Sequence, residues 1–153
     1  METRIENRPL TKVAAIRHVG PYDQSGPVWE KLFNWSIANK LDTEEATWLG
    51  LYYDDPRLVA AEQLKSDICI VVEDDIKETD EIKQLEIAAG EYLVGLHRGS
   101  YKNLYESYNH LYQTKLGELG RKCKELPAIE VYLNCPTCTP EDELLTEIWI
   151  PME

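Results

Sequence analysis

The stretch RHVGPY at residues 17–22 returns 79 positions later as LHRGSY at residues 96–101, and both share the pattern H-x-G-[PS]-Y. WLGLYYDDP at residues 48–56 matches AIEVYLNCP at residues 128–136, with Tyr and Pro aligned 80 positions apart. LKSDICI at residues 64–70 matches LLTEIWI at residues 144–150, again 80 positions apart. Three matches in the same order predict that the chain contains one structural unit twice.

Each predicted unit has the order strand, helix, strand, strand. The first strand of each unit runs into a turn at Gly20 or Gly99, where glycine supplies backbone angles that other residues resist. The predicted strands are 12–18, 48–53 and 64–72 in the first unit and 91–97, 128–133 and 145–150 in the second. Apolar stripes of helical period predict the two helices: Val28, Trp29, Leu32, Phe33 and Ile37, and Leu104, Tyr108, Leu111, Tyr112, Leu116 and Leu119.

The predicted fold is α+β, a tandem duplication of this strand-helix-strand-strand unit with pseudo-twofold symmetry. Repeat one covers about residues 8–72, an acidic connector covers 73–88, and repeat two covers 89–153 of a single domain. Because ligand pockets favour the junction of two packed units, we expect a central groove to be the binding site.

Composition narrows the classes of function. The 153 residues are enough for a real core, and the net charge of −12 disfavours direct contact with nucleic acid phosphates. A simpler interpretation is that the acidity serves solubility. No apolar run is long enough to cross a membrane, and the charged N-terminal residues do not resemble a signal peptide. We therefore expect a cytoplasmic protein without a membrane association.

The sequence offers no signature of a metal or cofactor site. Cys135 and Cys138 form a C-x-x-C without the second pair that a zinc site normally needs, and we expect free thiols. His18 and His97 stand at strand ends, where capping or packing is the usual role. A G-x-S-x-G motif and a Gly-rich phosphate loop are both missing, so we expect that the protein is not a hydrolase of the serine type.

Strand alternation assigns the candidate site. If Ile129, Val131 and Leu133 face the core under a helix, then Glu130 and Tyr132 face the opposite side. The same parity places Trp48, Gly50 and Tyr52 with them, and the last strand adds Trp149. One interpretation is a solvated face with scattered aromatic residues; the other is an aromatic pocket in which Glu130 complements a cation.

The site is predicted to be asymmetric, because Gly50 stands where the second unit has Glu130. The second unit would provide the acid, and the first unit would provide space for the ligand at Gly50. A carboxylate shielded from water has a raised pKa, which also makes Glu130 a candidate general acid or base. The predicted ligand-binding residues are Glu130, Tyr132, Trp48, Tyr52, Trp149, Tyr22 and Tyr101.

The run VAAIRHVGPYDQSGPVWEKLFNW, the later WLGLYYDDP and LKSDICIVV, and AIEVYLNCP resemble the GyrI-like family and the effector-binding domains of AraC-type and MerR-type regulators. The resemblance extends from about Arg8 to Met152. It implies a groove for amphipathic, often cationic, small molecules, with Glu130 and Tyr132 matching the E-x-Y strand of the pocket. Some relatives are described as hydrolases of cyclopropane-containing toxins, which implies a test of Trp48 or Tyr52 with this glutamate.

Three functions stay open at this level. The first is a binding protein that sequesters or senses toxic amphipathic compounds, without a cofactor. The second is a hydrolase of strained electrophiles with Glu130 as general base. The third is an acidic protein whose surface engages DNA gyrase.

Overall fold

Antiparallel strands and a few helices make up the chain, and a computed structural model describes all residues, 1–153. They divide into two compact units. The first unit is Leu10–Ala88, and the second unit joins Met1–Pro9 to Ala89–Glu153. The architecture is therefore the α+β class that the sequence predicts.

The first unit contains four strands and one long helix. Strands β2 (Thr11–Val19), β3 (Trp48–Tyr52), β4 (Lys65–Val71) and β5 (Ile82–Ile87) pair antiparallel in the order β5-β2-β4-β3, and helix α1 is Gly26–Ala38. Pro27 lies in the first turn of α1, where its missing N–H costs no hydrogen bond. The helix packs on one sheet face through the fully buried Leu32.

The second unit has a corresponding order of strands across its sheet. Strands β1 (Thr3–Arg8), β6 (Gly90–Arg98), β7 (Ala128–Tyr132) and β8 (Leu145–Pro151) pair antiparallel in the order β1-β6-β8-β7. Its helix begins as α2 (Leu104–Asn109), continues as a π-helical segment (His110–Lys115) and ends as α3 (Leu116–Glu118). The core of this unit consists of Leu93, Leu111, Leu116, Ala128, Ile148, Ile150 and Met152.

The segment between the two positive-φ turns is one residue longer in the second unit than in the first, and the π-helical segment accommodates this residue. Before the helices, the positive-φ residues Gly20 and Gly99 are 79 positions apart; after them, the positive-φ residues Lys40 and Gly120 are 80 apart. A π-helical turn is a common way to fit one additional residue into an α-helix. It also explains why Leu111 and Leu116, five residues apart, are both buried against the sheet.

Two strands lie where the sequence analysis expects none. Part of the expected connector, residues 73–88, is β5, which pairs with β2 and belongs to the first unit. The N-terminal residues form β1, which pairs with β6 of the second unit. Both are edge strands with polar and charged sequences, TRIENR and IKQLEI, as expected for edges that resist pairing with other chains.

Cys135 and Cys138 form a disulfide, so the expectation of free thiols is wrong for this pair, whereas Cys69 and Cys123 are free. The helices of the structure include none with the length and apolar character needed to cross a membrane.

Candidate functional site

The side chain of Glu130 lies on the helix-facing side of β7 and is held by two tyrosines. Tyr108, from α2, donates a hydrogen bond of 2.6 Å from its hydroxyl to Oε2 of Glu130. Tyr132, two residues along the strand, donates one of 2.8 Å to Oε1. Residues i and i+2 of a strand share a face, so Tyr132 reaches the carboxylate from its own strand. Each carboxylate oxygen thus accepts one hydroxyl.

This carboxylate is buried without a counter-charge. Glu130 is 7% exposed and forms no ion pair with Lys, Arg or His. Burial raises the pKa of Glu130, and the hydrogen bonds from Tyr108 and Tyr132 lower it only in part. A carboxylate has about four acceptor positions, so the two tyrosine hydroxyls leave part of the acceptor capacity of Glu130 unused.

Two more tyrosines are in ring contact with Tyr132 and Tyr108. We call the five residues Tyr101, Tyr108, Tyr112, Glu130 and Tyr132 the tyrosine–glutamate cluster. The rings of Tyr101 and Tyr132 meet edge to face at 5.7 Å, and those of Tyr108 and Tyr112 stack at 6.3 Å. Burial and the nearby charge of Glu130 raise the pKa of Tyr101. The cluster therefore combines aromatic faces with one desolvated acid.

The predicted orientation of strand β7 is wrong. Glu130 pairs across the ladder with Ile148, which belongs to the core under the helix, and Ala128 lies in the same core. Ile129 and Val131 face the other side of the sheet, and Leu133 is 48% exposed after the strand ends. Both faces of β7 are buried, so the apolar residues Ile129 and Val131 did not show which face of the strand lies under the helix. The alternation of residues along the strand was therefore assigned to the wrong faces.

Trp149 does not share a face with Glu130, contrary to the prediction. It pairs with Ile129 on the opposite side of the sheet, and its indole N–H donates to Glu147 at 3.1 Å. The guanidinium of Arg8 lies 4.3 Å from the Trp149 ring centroid, and that of Arg4 lies 5.7 Å away. The indole already has cationic neighbours from β1.

The aromatic residues predicted in the first unit form their own contacts there. Trp48 lies on the helix-facing side, where its ring is 6.5 Å from Trp29 and 5.9 Å from Phe33 of α1. Tyr22 and Tyr52 meet edge to face at 4.9 Å. The predicted parity was thus wrong for this strand as well.

Gly50 does not provide the empty space that the sequence analysis expected. A Cβ atom at Gly50 would lie 2.6 Å from the ring of Tyr52, because that ring folds back over the glycine. A side chain at this position would therefore displace the Tyr52 ring. The position that holds an acid in the second unit holds a tyrosine ring in the first.

The first unit also contains a buried carboxylate, but this one is paired. Asp67 on β4 is 2% exposed and accepts two hydrogen bonds from the Arg17 guanidinium, at 2.7 and 3.2 Å. The hydroxyl of Tyr53 donates to it at 2.5 Å, and burial, together with this hydrogen bond, raises the pKa of Tyr53. Its charge is satisfied within the unit.

Sequence reasoning missed Tyr108 and Tyr112 as site residues and treated them as apolar helix positions. A signal was present, because two tyrosines at spacing i, i+4 place two hydroxyl-bearing rings on one helix face. A buried tyrosine hydroxyl needs a partner, and a strand carboxylate facing the helix supplies one.

The family model and the related sequences that match this chain indicate the same family. The GyrI-like small molecule binding domain matches residues 1–153. A DNA gyrase inhibitor of Serratia proteamaculans is 31% identical over 139 residues, which cover 88% of each chain.

Solved structures share the fold at low identity. The EcmrR C-terminal domain has a TM-score of 0.80 at 21% identity, covering 99% of this chain and 97% of that one. A hydrolase encoded by lin2189 from Listeria innocua has a TM-score of 0.77 at 12% identity, covering 99% and 92%. SAV2435, solved bound to tetraphenylphosphonium, has a TM-score of 0.67 at 17% identity, covering 100% and 94%.

Proposed function

Because this chain belongs to the GyrI-like small molecule binding domain family, we propose that it binds amphipathic organic cations at Glu130 and so sequesters or senses toxic compounds. The observation that carries the proposal is a buried carboxylate without a counter-charge. Burying an unpaired charge is costly, and a bound cation offsets that cost.

The tyrosines support the same class of ligand. The faces of aromatic rings attract cations, and three tyrosines of the second unit, Tyr101, Tyr108 and Tyr132, interact with the acid. The aromatic walls suit the apolar part of an amphipathic molecule, while the acid fixes its charge. The solved relative SAV2435 carries tetraphenylphosphonium, a lipophilic cation of this kind.

The chain's own sequence matches also support the proposal that the two units are copies of one ancestral unit. Only the second unit carries the acid, so the duplication would have freed one copy for binding. The ligand-binding roles of Tyr22, Trp48, Tyr52 and Trp149 stay predictions.

The test is a calorimetric titration with tetraphenylphosphonium and with tetraphenylborate, an anion of nearly the same shape. We expect saturable binding of the cation, little binding of the anion, and loss of this preference in Glu130→Gln. Equal binding of the two ions by the wild type, or an unchanged preference in Glu130→Gln, would contradict the proposal.

A hydrolase is the second candidate, since the pKa of Glu130 is raised as a general base requires and a solved relative is described as a hydrolase. In this case Glu130 activates water toward a strained electrophile such as a cyclopropane-containing toxin. Product formation followed by mass spectrometry should fall by about 10²-fold or more in Glu130→Gln. Unchanged turnover in that variant would exclude this mechanism.

Inhibition of DNA gyrase is the third candidate, favoured by the relatives' name and by the net charge of −12. An acidic surface would engage a basic face of the enzyme. A supercoiling assay should then show inhibition that weakens steeply between low and physiological salt, because salt screens surface charge. Absence of inhibition at low salt would exclude it.

A further inference from the structure

A serine and a histidine of the second unit meet at a cavity away from Glu130. The hydroxyl Oγ of Ser107, on α2, lies 2.7 Å from Nδ1 of His97, at the end of β6. The other ring nitrogen, Nε2, lies 2.9 Å from the backbone oxygen of Ser100. A carbonyl oxygen only accepts, so Nε2 carries the proton and Nδ1 is free to accept the proton of Ser107.

In this arrangement Ser107 can act as a nucleophile and His97 as the base that accepts its proton. The imidazole is 5% exposed and is fixed by the turn, while the hydroxyl points at its unprotonated nitrogen. The cavity beside them has a volume of about 440 Å³ and is also lined by Asn103, Arg98 and Glu106. That volume is sufficient for a small organic substrate.

The first unit shows that the serine is not needed to build this turn. His18 makes the same bond from Nε2 to a backbone oxygen, that of Pro21, at 2.9 Å. Val28 stands 79 positions before Ser107, the spacing that also separates the two histidines. Val28 lines a comparable cavity of about 360 Å³. The hydroxyl is thus an addition of the second unit.

We propose that Ser107 and His97 form a catalytic pair that hydrolyses small carboxylic esters in this cavity. Oγ of Ser107 attacks the ester carbonyl carbon, and its proton passes to Nδ1 of His97. The intermediate collapses, the bond to the alcohol oxygen breaks, and Nδ1 returns the proton to the leaving alcohol. Water then attacks the acyl-serine with His97 as base, releasing the acid and restoring Ser107.

The remaining lining residues define the substrate. The side-chain amide of Asn103 is a neutral donor available to the oxyanion, and the guanidinium of Arg98 provides a positive charge at the cavity. Glu2 and Glu106 also line the cavity, so its charged residues are one cation and two acids, and short acyl esters without an acidic group match this set.

The test combines a fluorophosphonate probe with p-nitrophenyl acetate. We expect the probe to label Ser107, as located by peptide mass spectrometry, and ester hydrolysis to fall about 100-fold or more in Ser107→Val and in His97→Gln. Ser107→Val copies the first unit, so its fold should be retained, which circular dichroism checks. His18→Gln, the matched change in the first unit, should leave the rate unchanged.

Two results would overturn the proposal. One is a folded wild-type protein in which the probe leaves Ser107 unlabelled. The other is a folded Ser107→Val protein that hydrolyses the ester at the wild-type rate.

Discussion

The two units each bury one carboxylate, but they satisfy it differently. In the first unit, Asp67 receives two hydrogen bonds from Arg17 and one from Tyr53. In the second unit, Glu130 receives hydroxyl bonds from Tyr108 and Tyr132 and has no cationic partner. The contrast separates a carboxylate that forms an ion pair within its own unit from one that accepts hydrogen bonds from tyrosine hydroxyls alone.

The largest expected effect is on ligand affinity in Glu130→Gln. Removing one partner of a desolvated charge pair costs about 2 kcal/mol or more, which is roughly 30-fold in Kd. Titration with tetraphenylphosphonium measures this loss. Asp67→Asn is the matched control and should bind within about twofold of the wild type; an equal loss in both variants would remove the distinction between the two acids.

The second largest effect is expected on the stability of the protein when Asp67 of the first unit is changed. Asp67→Asn weakens bonds to a charged guanidinium, and such bonds contribute about 1.5 to 3 kcal/mol. The half-exposed Arg17 can regain water, so we expect the lower end of that range and a fall in Tm of about 3 to 6 °C. Thermal unfolding followed by circular dichroism measures this fall in Tm. An unchanged Tm would show that the Arg17–Asp67 ion pair does not contribute to the stability of the fold.

A smaller effect is expected from Tyr132→Phe. Loss of a donor that stabilises the charged form raises the pKa of Glu130 further, so the pH at which the cation begins to bind should move upward. Affinity near neutral pH should fall by about 3- to 10-fold, as for one lost hydrogen bond. Tyr101→Phe is the control, because that hydroxyl makes no bond to Glu130, and an identical shift there would argue against this role.

The smallest effect concerns the stability of the ligand-free protein. The pKa of Glu130 is raised in the folded state, so the folded chain holds this proton more tightly than the unfolded chain. The resulting stability is present below the unfolded pKa of about 4.5 and is lost as pH rises through the raised folded pKa. Glu130→Gln should therefore gain Tm relative to the wild type as pH increases, and a difference independent of pH would contradict it.

The sequence predicted the class of fold and the strand-helix-strand-strand order within each unit, and its assignment of Glu130 as a site residue stays a prediction. The order of elements can be predicted from matches such as H-x-G-[PS]-Y, because turns require particular residue types and buried strands require apolar residues. It did not predict the edge strands β1 and β5, whose charged residues look like loops. It also placed Glu130 on the wrong face, since Ile129 and Val131 are buried as fully as Ala128.

The hydrogen-bond partner that Glu130 has on the helix, Tyr108, could not be predicted from the sequence either. Tyr108 belongs to an amphipathic stripe whose members usually pack in a core, and a one-residue addition to the helix changes which positions face the sheet. Only the structure shows that this tyrosine donates to an acid on a strand.

The most direct test of the central claim is the pH dependence of tetraphenylphosphonium affinity in the wild type and in Glu130→Gln. If the cation binds the charged form of Glu130, wild-type affinity rises with pH through the raised pKa and then levels, while the variant binds weakly at every pH. Equal affinity in the two proteins across the pH range would contradict the assignment of Glu130 as the cation-binding carboxylate.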